Sequence, residues 1–390
     1  GTALVAADGS TSFIREELGI ALEGAEDLRH IVNCYFLADI ERHIRDRPAI
    51  LFFVNNDEAA GVLQPLDAAG RWLSQIIVDA ADHSPEVFDE ERARAWIRAA
   101  TGLDDLDVDV LSIGFWKLNA TVAERLVQGR IVLCGDAAHQ FPPTGGLGVN
   151  TGLQGMHNVI WKLAHFIRGQ ASWSLVETYD TERRPVTQRV VQQSLENSVN
   201  IVRMSVAAAE GAESGLSPQE LIAETRRYGN HLGVEFGAAY SSPAVIADGT
   251  RPPEVEDSYS DYAPSASPGC RAPHVWLGPP ADRFSVLDLF GPAFTFVTVS
   301  AIDEVTAIVS NAVSEVGAQI DHYSIDSAGI SGREAFCKAY GLDADGGVLV
   351  RPDGHVAWRF QRAADAAELP TVMNRILGRA QGGRPADDTP

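Results

Sequence analysis

The chain has 390 residues, 45% of them apolar, enough to bury the cores of two or three globular domains. Its 53 acidic against 31 basic residues give a formal net charge of −22, which argues against nucleic acid or an anionic membrane surface as a partner. Cys34, Cys134, Cys270 and Cys337 are scattered without C-x-x-C spacing, the histidines show no zinc-site pattern, and neither an 18-residue apolar run nor a signal sequence is seen. Reduced thiols, no metal and a soluble cytoplasmic protein are therefore expected.

In chain order, residues 3–7 form a strand-like apolar run leading into Asp8-Gly9-Ser10-Thr11-Ser12 and Arg15. Read alone, this is a strand and a turn in which Asp8 or Ser12 caps a short helix. From residue 21 to about 119 the pattern changes to alternating strands at 30–36, 49–54, 61–66 and 72–78, with polar turns at 55–57 and 67–70, which predicts an antiparallel sheet. A helix at 90–101 and a strand at 108–116 complete this region. Phe52, Trp72, Phe115 and Trp116 are candidates for lining a pocket for a planar ligand. Individually each is more often ordinary core, because sheet alternation buries at least half of such residues.

Residues 131–134 look like a buried strand that stops at Gly135-Asp136, presenting a carboxylate at the strand's carboxyl end, where open α/β sheets bind ligands. The loop Pro142-Pro143-Thr144-Gly145-Gly146-Leu147-Gly148 follows, then Leu153, Met156, Val159, Ile160, Leu163 and Ile167 at helical spacing. Thr151 and Gln154 have capping-box spacing. Gly145, Gly146, Gly148 and Gly152 leave backbone N–H groups uncovered near the helix's positive end, a seat for an electron-rich ligand. The alternative is a buried turn whose glycines satisfy unusual dihedrals, with Asp136 as a cap. The series Gly146, Gly148, Thr151 breaks G-x-G-x-x-G at its third position.

A helix is predicted over 171–200, its charged residues on a solvated face, and helix-compatible spacing continues over 204–228. Residues 249–273 are proline- and serine-rich and read as a linker or strap. Beyond them come predicted strands at 285–290, 294–299 and 322–325, a hairpin at 347–359 turning on Pro352-Asp353-Gly354, helices at 302–316 and 363–377, and a tail at 382–390 expected to be disordered.

Asp8-Gly9 with Arg15, Gly135-Asp136-Ala137-Ala138-His139, Pro142 to Asn150, and Trp161-Lys162-Leu163-Ala164 resemble the ADGxxSxxR, GDAAH, PPxGGxGxN and WKLA motifs of the class A flavoprotein aromatic hydroxylases, the p-hydroxybenzoate hydroxylase-like family. Gly155-Met156 stands where that family often has Asp-Ala. The resemblance implies an α/β fold: the later part of a Rossmann-like FAD-binding domain (1–20 and 120–200), an inserted antiparallel β-sheet substrate domain (21–119), a helical segment and linker (201–269), a C-terminal thioredoxin-like domain (270–381) and a tail (382–390). It implies that Asp136 holds the ribityl hydroxyls of FAD, that backbone groups around Pro143, Gly145, Gly146, Leu147, Gly148, Val149 and Asn150 face the flavin, and that Asp8, Gly9 and Arg15 lie near the pyrophosphates. Backbone at Pro142 and Pro143 would position the substrate, and no protein catalytic acid or base is implied.

The implied activity is hydroxylation of a phenol or polycyclic aromatic polyketide through an FAD C4a-hydroperoxide, with NAD(P)H as reductant. Baeyer–Villiger oxygenation and a flavin-free, non-catalytic subunit remain open. The wording from Arg351 to Arg359 resembles the polyketide hydroxylase branch. Since no G-x-G-x-x-G unit precedes the Asp8-Gly9 motif, an amino-terminal FAD-binding segment is expected as a separate chain or precursor, with a homodimer as a further assembly. The last domain lacks a redox dithiol and is expected to serve packing or dimerisation and to be dispensable for flavin reduction.

Overall fold

The computed structural model describes residues 1–210, 220, 226–300, 304–326 and 331–379. Strand β1 (Leu4–Ala6) lies parallel to β8 (Ile131–Leu133), and β7 (Val127–Gln128) borders β8 on its other side. Everything between β1 and β7 is thus an insertion between the two strands that flank β8 in one sheet. Its backbone is the long antiparallel pair β2 (Leu22–Leu37) and β6 (Asp109–Ala123). With β3 (Phe52–Asn55), β4 (Ala60–Pro65), β5 (Arg71–Val78) and β9 (His139–Gln140) they make a six-stranded antiparallel sheet in the order β3-β4-β5-β2-β6-β9.

Period-two alternation puts Val32, Cys34, Phe36, Leu63, Trp72 and Ile76 on one face, where they pack on Ala93, Trp96 and Ile97 of α2 (Glu90–Thr101). That helix starts at Asp89, whose side chain accepts from the Arg92 N–H, and stops at Gly102 in the left-handed conformation. Its bounds are those the sequence predicts.

Helices α1 (Phe13–Glu17), α3 (Leu147–Ile167) and α4 (Trp173–Glu210) surround the β1-β8-β7 sheet. Val159 and Leu163 of α3 and Trp173, Val176 and Tyr179 of α4 pack on Ala6, Val132 and Leu133. The opposite face of α3 is bare: Val149, Leu153, Ile160 and Ile167 are 50–72% exposed, and Phe13 is 65% exposed. Two expectations need correction. No capping box forms, because Gly145 and Gly146, both at positive φ, turn the chain into helix at Leu147; the Thr151 hydroxyl donates to the Leu147 carbonyl, and Gln154 accepts from Arg183. And α4 runs on past residue 200 without a break.

After α5 (Arg226–Gly229) and α6 (Leu232–Phe236), and the small pair β10 (Trp276–Leu277) and β11 (Phe284–Ser285), comes a four-stranded sheet of β12 (Phe294–Thr298), β13 (Ile320–Ser324), β14 (Gly347–Val350) and β15 (Val356–Phe360). Its order is β13-β12-β14-β15, with only β12 and β13 parallel. Helices α7 (Val305–Val316) and α9 (Leu369–Ile376) cover one face and α8 (Arg333–Tyr340) the other. The expected strand at 285–290 is instead a 3-10 turn whose start is capped by Ser285 and Asp288. Residues 302–303, parts of 204–228 and the tail lie outside the described residues.

The stretch 249–273 is not a loose connection. Cys270 and Arg271 make β-bridges to Ala239 and His355, and Asp248, just ahead of it, pairs with Arg359. The C-terminal sheet is fastened to the helices in front of it: Trp161, Ala171 and Leu175 share one apolar cluster with Phe294, Leu369 and Met373. Beneath that cluster Glu182 accepts from Arg351 at 2.6 Å and from Lys162 at 2.7 Å, and Arg351 also pairs with Asp353. Glu182, predicted on a solvated face, is 2% exposed, and Lys162 and Arg351 are fully buried. Among the described residues no helix is long and apolar enough to cross a membrane, and no group of three His, Cys, Asp or Glu is placed to hold a metal ion.

Candidate flavin and substrate site

Because β1 and β8 are parallel neighbours, their carboxyl ends bring Asp8-Gly9 and Gly135-Asp136 side by side. Arg15, 6% exposed, ties the two loops by donating to the carbonyls of Ser10 and Ala137, each at 3.3 Å. Gln140 also donates to the Ser10 carbonyl, at 2.8 Å. Asp8 is committed locally: its carboxylate accepts from the Ser12 hydroxyl at 2.6 Å and the Ile14 N–H at 3.1 Å, and these bonds lower its pKa. Ser12 in turn caps α1 by accepting from the Arg15 N–H. The capping reading of Asp8 and Ser12 therefore describes their contacts within the chain.

Asp136 is different. It stands exposed on a short 3-10 turn (Gly135–Ala137), and its carboxylate accepts no hydrogen bond among the described residues. Surrounding protein still desolvates it enough to raise its pKa. Such a carboxylate is free to accept hydroxyl protons from a ligand. Next to it His139, 4% exposed and stacked on Phe141, is pushed down to about pH 4 by burial and by Arg183, so it is neutral at physiological pH.

The proline-glycine loop turns at Gly146, whose N–H donates to the Pro143 carbonyl. The loop leans on α4, with the Thr144 hydroxyl on the Ser194 carbonyl at 2.6 Å, and a Cβ at Gly145 would come within 3.2 Å of Asn197. No side chain caps α3, so the N–H groups of its first turn, Leu147, Gly148 and Val149, are left for a ligand. Asn150 folds back to donate to the Gly146 carbonyl. Sequence reasoning missed the layer behind the loop: Gln193, Ser194 and Asn197 are buried, and each keeps a polar atom without a partner. The polar run Gln192-Gln193-Ser194 inside an otherwise packed helix was the available signal.

The four aromatic candidates fall on two faces of the inserted sheet. Val32 faces Phe115, Phe36 faces Trp72, and Leu63 faces Phe52, so Phe52, Trp72 and Phe115 all lie on the α2 side. There Phe52 and Trp72 border a cavity of about 590 Å³ with Ile40, Ile44 and Leu103. Trp116 lies on the opposite face with Ile31, Asn33, Tyr35, Leu73 and Gln75, and its indole N–H donates to Asn33 at 2.9 Å. Following β6 along that face leads to Ala120 and Val122, which pack on Phe141 of the proline loop and on Val191 and Leu195 of α4. The Trp116 face therefore overlooks the glycine loop. Asn33 and Gln75 could have been found as polar residues standing at every second position of apolar strands.

A family model described as "FAD binding domain" matches residues 3–194, and one described as "Aromatic-ring hydroxylase, C-terminal" matches residues 265–380. A tetracenomycin A2 monooxygenase-dioxygenase of Streptomyces glaucescens is 33% identical over 97% of this chain and 66% of its own length. Among solved structures, the flavin-dependent monooxygenase PieE in complex with FAD and substrate superposes with a TM-score of 0.84 at 32% identity, covering 97% of this chain and 70% of that one. The ternary complex of aklavinone-11 hydroxylase with FAD and aklavinone superposes with a TM-score of 0.77 at 31% identity, over 97% and 68%. The chain thus spans about two thirds of the length of the relatives it matches. By sequence and by fold together, it belongs to the FAD-dependent aromatic-ring hydroxylase family of monooxygenases.

Proposed function

We propose that this chain seats the ribityl-flavin half of FAD and presents a phenolic or polycyclic aromatic polyketide to it for insertion of one oxygen atom, with NAD(P)H as reductant. The observation that carries this reading is the unpartnered Asp136 carboxylate beside the uncapped start of α3, both beneath the open face of the inserted sheet. Asp136 accepts from the ribityl hydroxyls, and the N–H groups from Leu147 to Asn150 face the electron-rich edge of the ring. Asp8, Gly9 and Arg15 line the approach to the pyrophosphate. When bound, FAD supplies the reduction by NAD(P)H and the activation of dioxygen. The chain's own residues orient and exclude water: Ile31, Tyr35, Leu73 and Trp116 form the ceiling and the backbone at Pro142 and Pro143 the floor.

The two faces make opposite predictions. Trp116→Ala is expected to raise KM for the aromatic substrate at least about tenfold while FAD affinity holds, because a flat apolar wall of the pocket is lost. Trp72→Ala, 2% exposed in the α2 core, is expected to cost about 3–5 kcal/mol of stability instead. Steady-state kinetics and urea unfolding of both variants test the face assignment; a raised KM in Trp72→Ala with unchanged stability would reverse it.

The domain reading proposed for the chain is 1–20 with 120–200 around the flavin, 21–119 for the substrate, 201–269 as helical strap and 270–381 as a thioredoxin-like packing domain. The βαβ start and β-hairpin finish of the last sheet support that label. Leu4, Phe13 and the bare stripe of α3 support a further FAD-binding segment, continuous or separately chained, lying over them. Intact mass and a search for a co-purifying chain test this; a monodisperse 390-residue chain that alone binds FAD stoichiometrically overturns it.

A further inference from the structure

The buried ion network between α3, α4 and the β14–β15 turn is balanced within itself, since Lys162 and Arg351 face Glu182 and Asp353. Arg183, next to it and 2% exposed, is not balanced. Its guanidinium donates only to neutral acceptors, the Tyr240 hydroxyl at 3.1 Å and the Gln154 side-chain oxygen at 3.2 Å, and its Nε has no partner. No carboxylate among the described residues pairs with it. A buried cation without a counter-charge is costly in a low-dielectric interior.

Arg183 borders a cavity of about 240 Å³, and a second arginine stands at the same cavity. Arg271 lies over the Phe236 ring at 5.0 Å and likewise has no carboxylate against it among the described residues. The other walls are apolar Ala238, Leu287 and Phe290, the polar α3 side chains of Gln154, His157 and Asn158 with Tyr240 beside them, and the turn that carries Asp353 and His355. Asp353 brings no spare negative charge, because Arg351 and His355 already engage its carboxyl and hold it well below the usual range despite burial. The cavity therefore combines an excess of positive charge with apolar walls, in a chain that is otherwise strongly acidic.

We propose that this cavity is a binding site for a small organic carboxylate, its charge held between Arg183 and Arg271 and its short apolar body against Leu287 and Phe290. It is built from α3, α4, the segment after α6 and the C-terminal sheet, so an occupant would clamp the last sheet to the flavin-side helices. The site is separate from the flavin seat: Gln154 and His157 lie beyond the first turn of α3, whose N–H groups face the flavin.

Calorimetric titration of the full chain with sodium butyrate at fixed ionic strength tests this, with sodium phosphate and sodium chloride as parallel arms. Butyrate is used because it is no analogue of a planar aromatic substrate. The expected result is saturable binding of one butyrate per chain, a rise in thermal midpoint with butyrate, and at least tenfold weaker binding in Arg271→Gln and Arg183→Gln. Arg271 is half-buried, so its replacement keeps the test sound where the Arg183 variant fails to fold. Absence of saturable butyrate binding, unchanged affinity in Arg271→Gln, equal binding of phosphate or chloride, or loss of binding in Trp116→Ala would each overturn the proposal.

Discussion

Replacing Asp136 with alanine is expected to weaken FAD binding about ten- to a hundredfold, the equivalent of roughly 1.5–3 kcal/mol for a charge-assisted hydrogen bond removed from a cofactor contact. The effect should fall on the cofactor and spare the fold, because the Asp136 carboxylate accepts nothing from the chain itself. Fluorescence titration with FAD together with urea unfolding separates the two. Desolvation raises the Asp136 pKa, so the carboxylate takes up its proton at a higher pH than an ordinary aspartate and FAD affinity should decline correspondingly early on acidification. Asp136→Asn keeps an acceptor oxygen and should lose less affinity, without the acid-side decline. Wild-type FAD affinity in Asp136→Ala would remove the site from the position assigned to it.

A stability loss as large as that of Trp72→Ala is expected at Glu182. Glu182→Gln leaves Lys162 and Arg351 facing a single carboxylate, Asp353, in a region where these side chains are 0–2% exposed. Removing one partner from a buried ionic group costs about 3–5 kcal/mol, because the remaining charges stay desolvated without compensation. Pairing the change with Lys162→Met restores balance, so the double variant should be more stable than the sum of the single losses predicts. Burial opposes ionisation of Glu182 and Asp353, yet Arg351, with Lys162 at Glu182 and His355 at Asp353, holds both carboxyls well below their ordinary 4.5 and 3.8. Depressed acids stabilise the fold above their unfolded-state pKa values, and that contribution is lost as pH falls through the folded-state values. Wild type should therefore lose stability more steeply than Glu182→Gln below about pH 4.5. Lys162 is pushed down to about 8 by burial, so it remains largely charged at neutral pH.

The last domain, expected to be dispensable for flavin reduction, is tied to the flavin-side helices by this network. A truncation near residue 268 would remove Arg351 and Asp353 and strand Glu182 and Lys162, and it would uncover Trp161 and Leu175.

Local regularities were legible in the sequence. Strand alternation marked the inserted sheet, amphipathic spacing marked α2, and the motifs around Asp8, Asp136 and Gly146 marked the loops that the parallel pairing of β1 and β8 brings together. What alternation cannot tell is which face is which. Phe115 and Trp116 are adjacent in sequence and so lie on opposite faces, and only the pairing of β6 with β2 shows that Phe115 joins the core. The start of α3 was misplaced because Thr151 and Gln154 imitate a cap, while the backbone of Gly145 and Gly146 sets the true start. The charges at Glu182 and Arg183 read as solvent-facing because isolated charges are seldom buried, and Arg351, a partner of Glu182, lies 169 residues away.

The most direct test is oxygen-18 labelling. The FAD-loaded protein is given NAD(P)H, isotopically labelled dioxygen and a polycyclic phenolic polyketide, and the product is read by mass spectrometry and carbon NMR. The expected product carries one labelled oxygen as a new hydroxyl on an aromatic carbon. A labelled ring ester in place of the hydroxyl would show Baeyer–Villiger oxygenation, and FAD-loaded protein that oxidises NAD(P)H but incorporates no label into this or related aromatic substrates would contradict the monooxygenase reading.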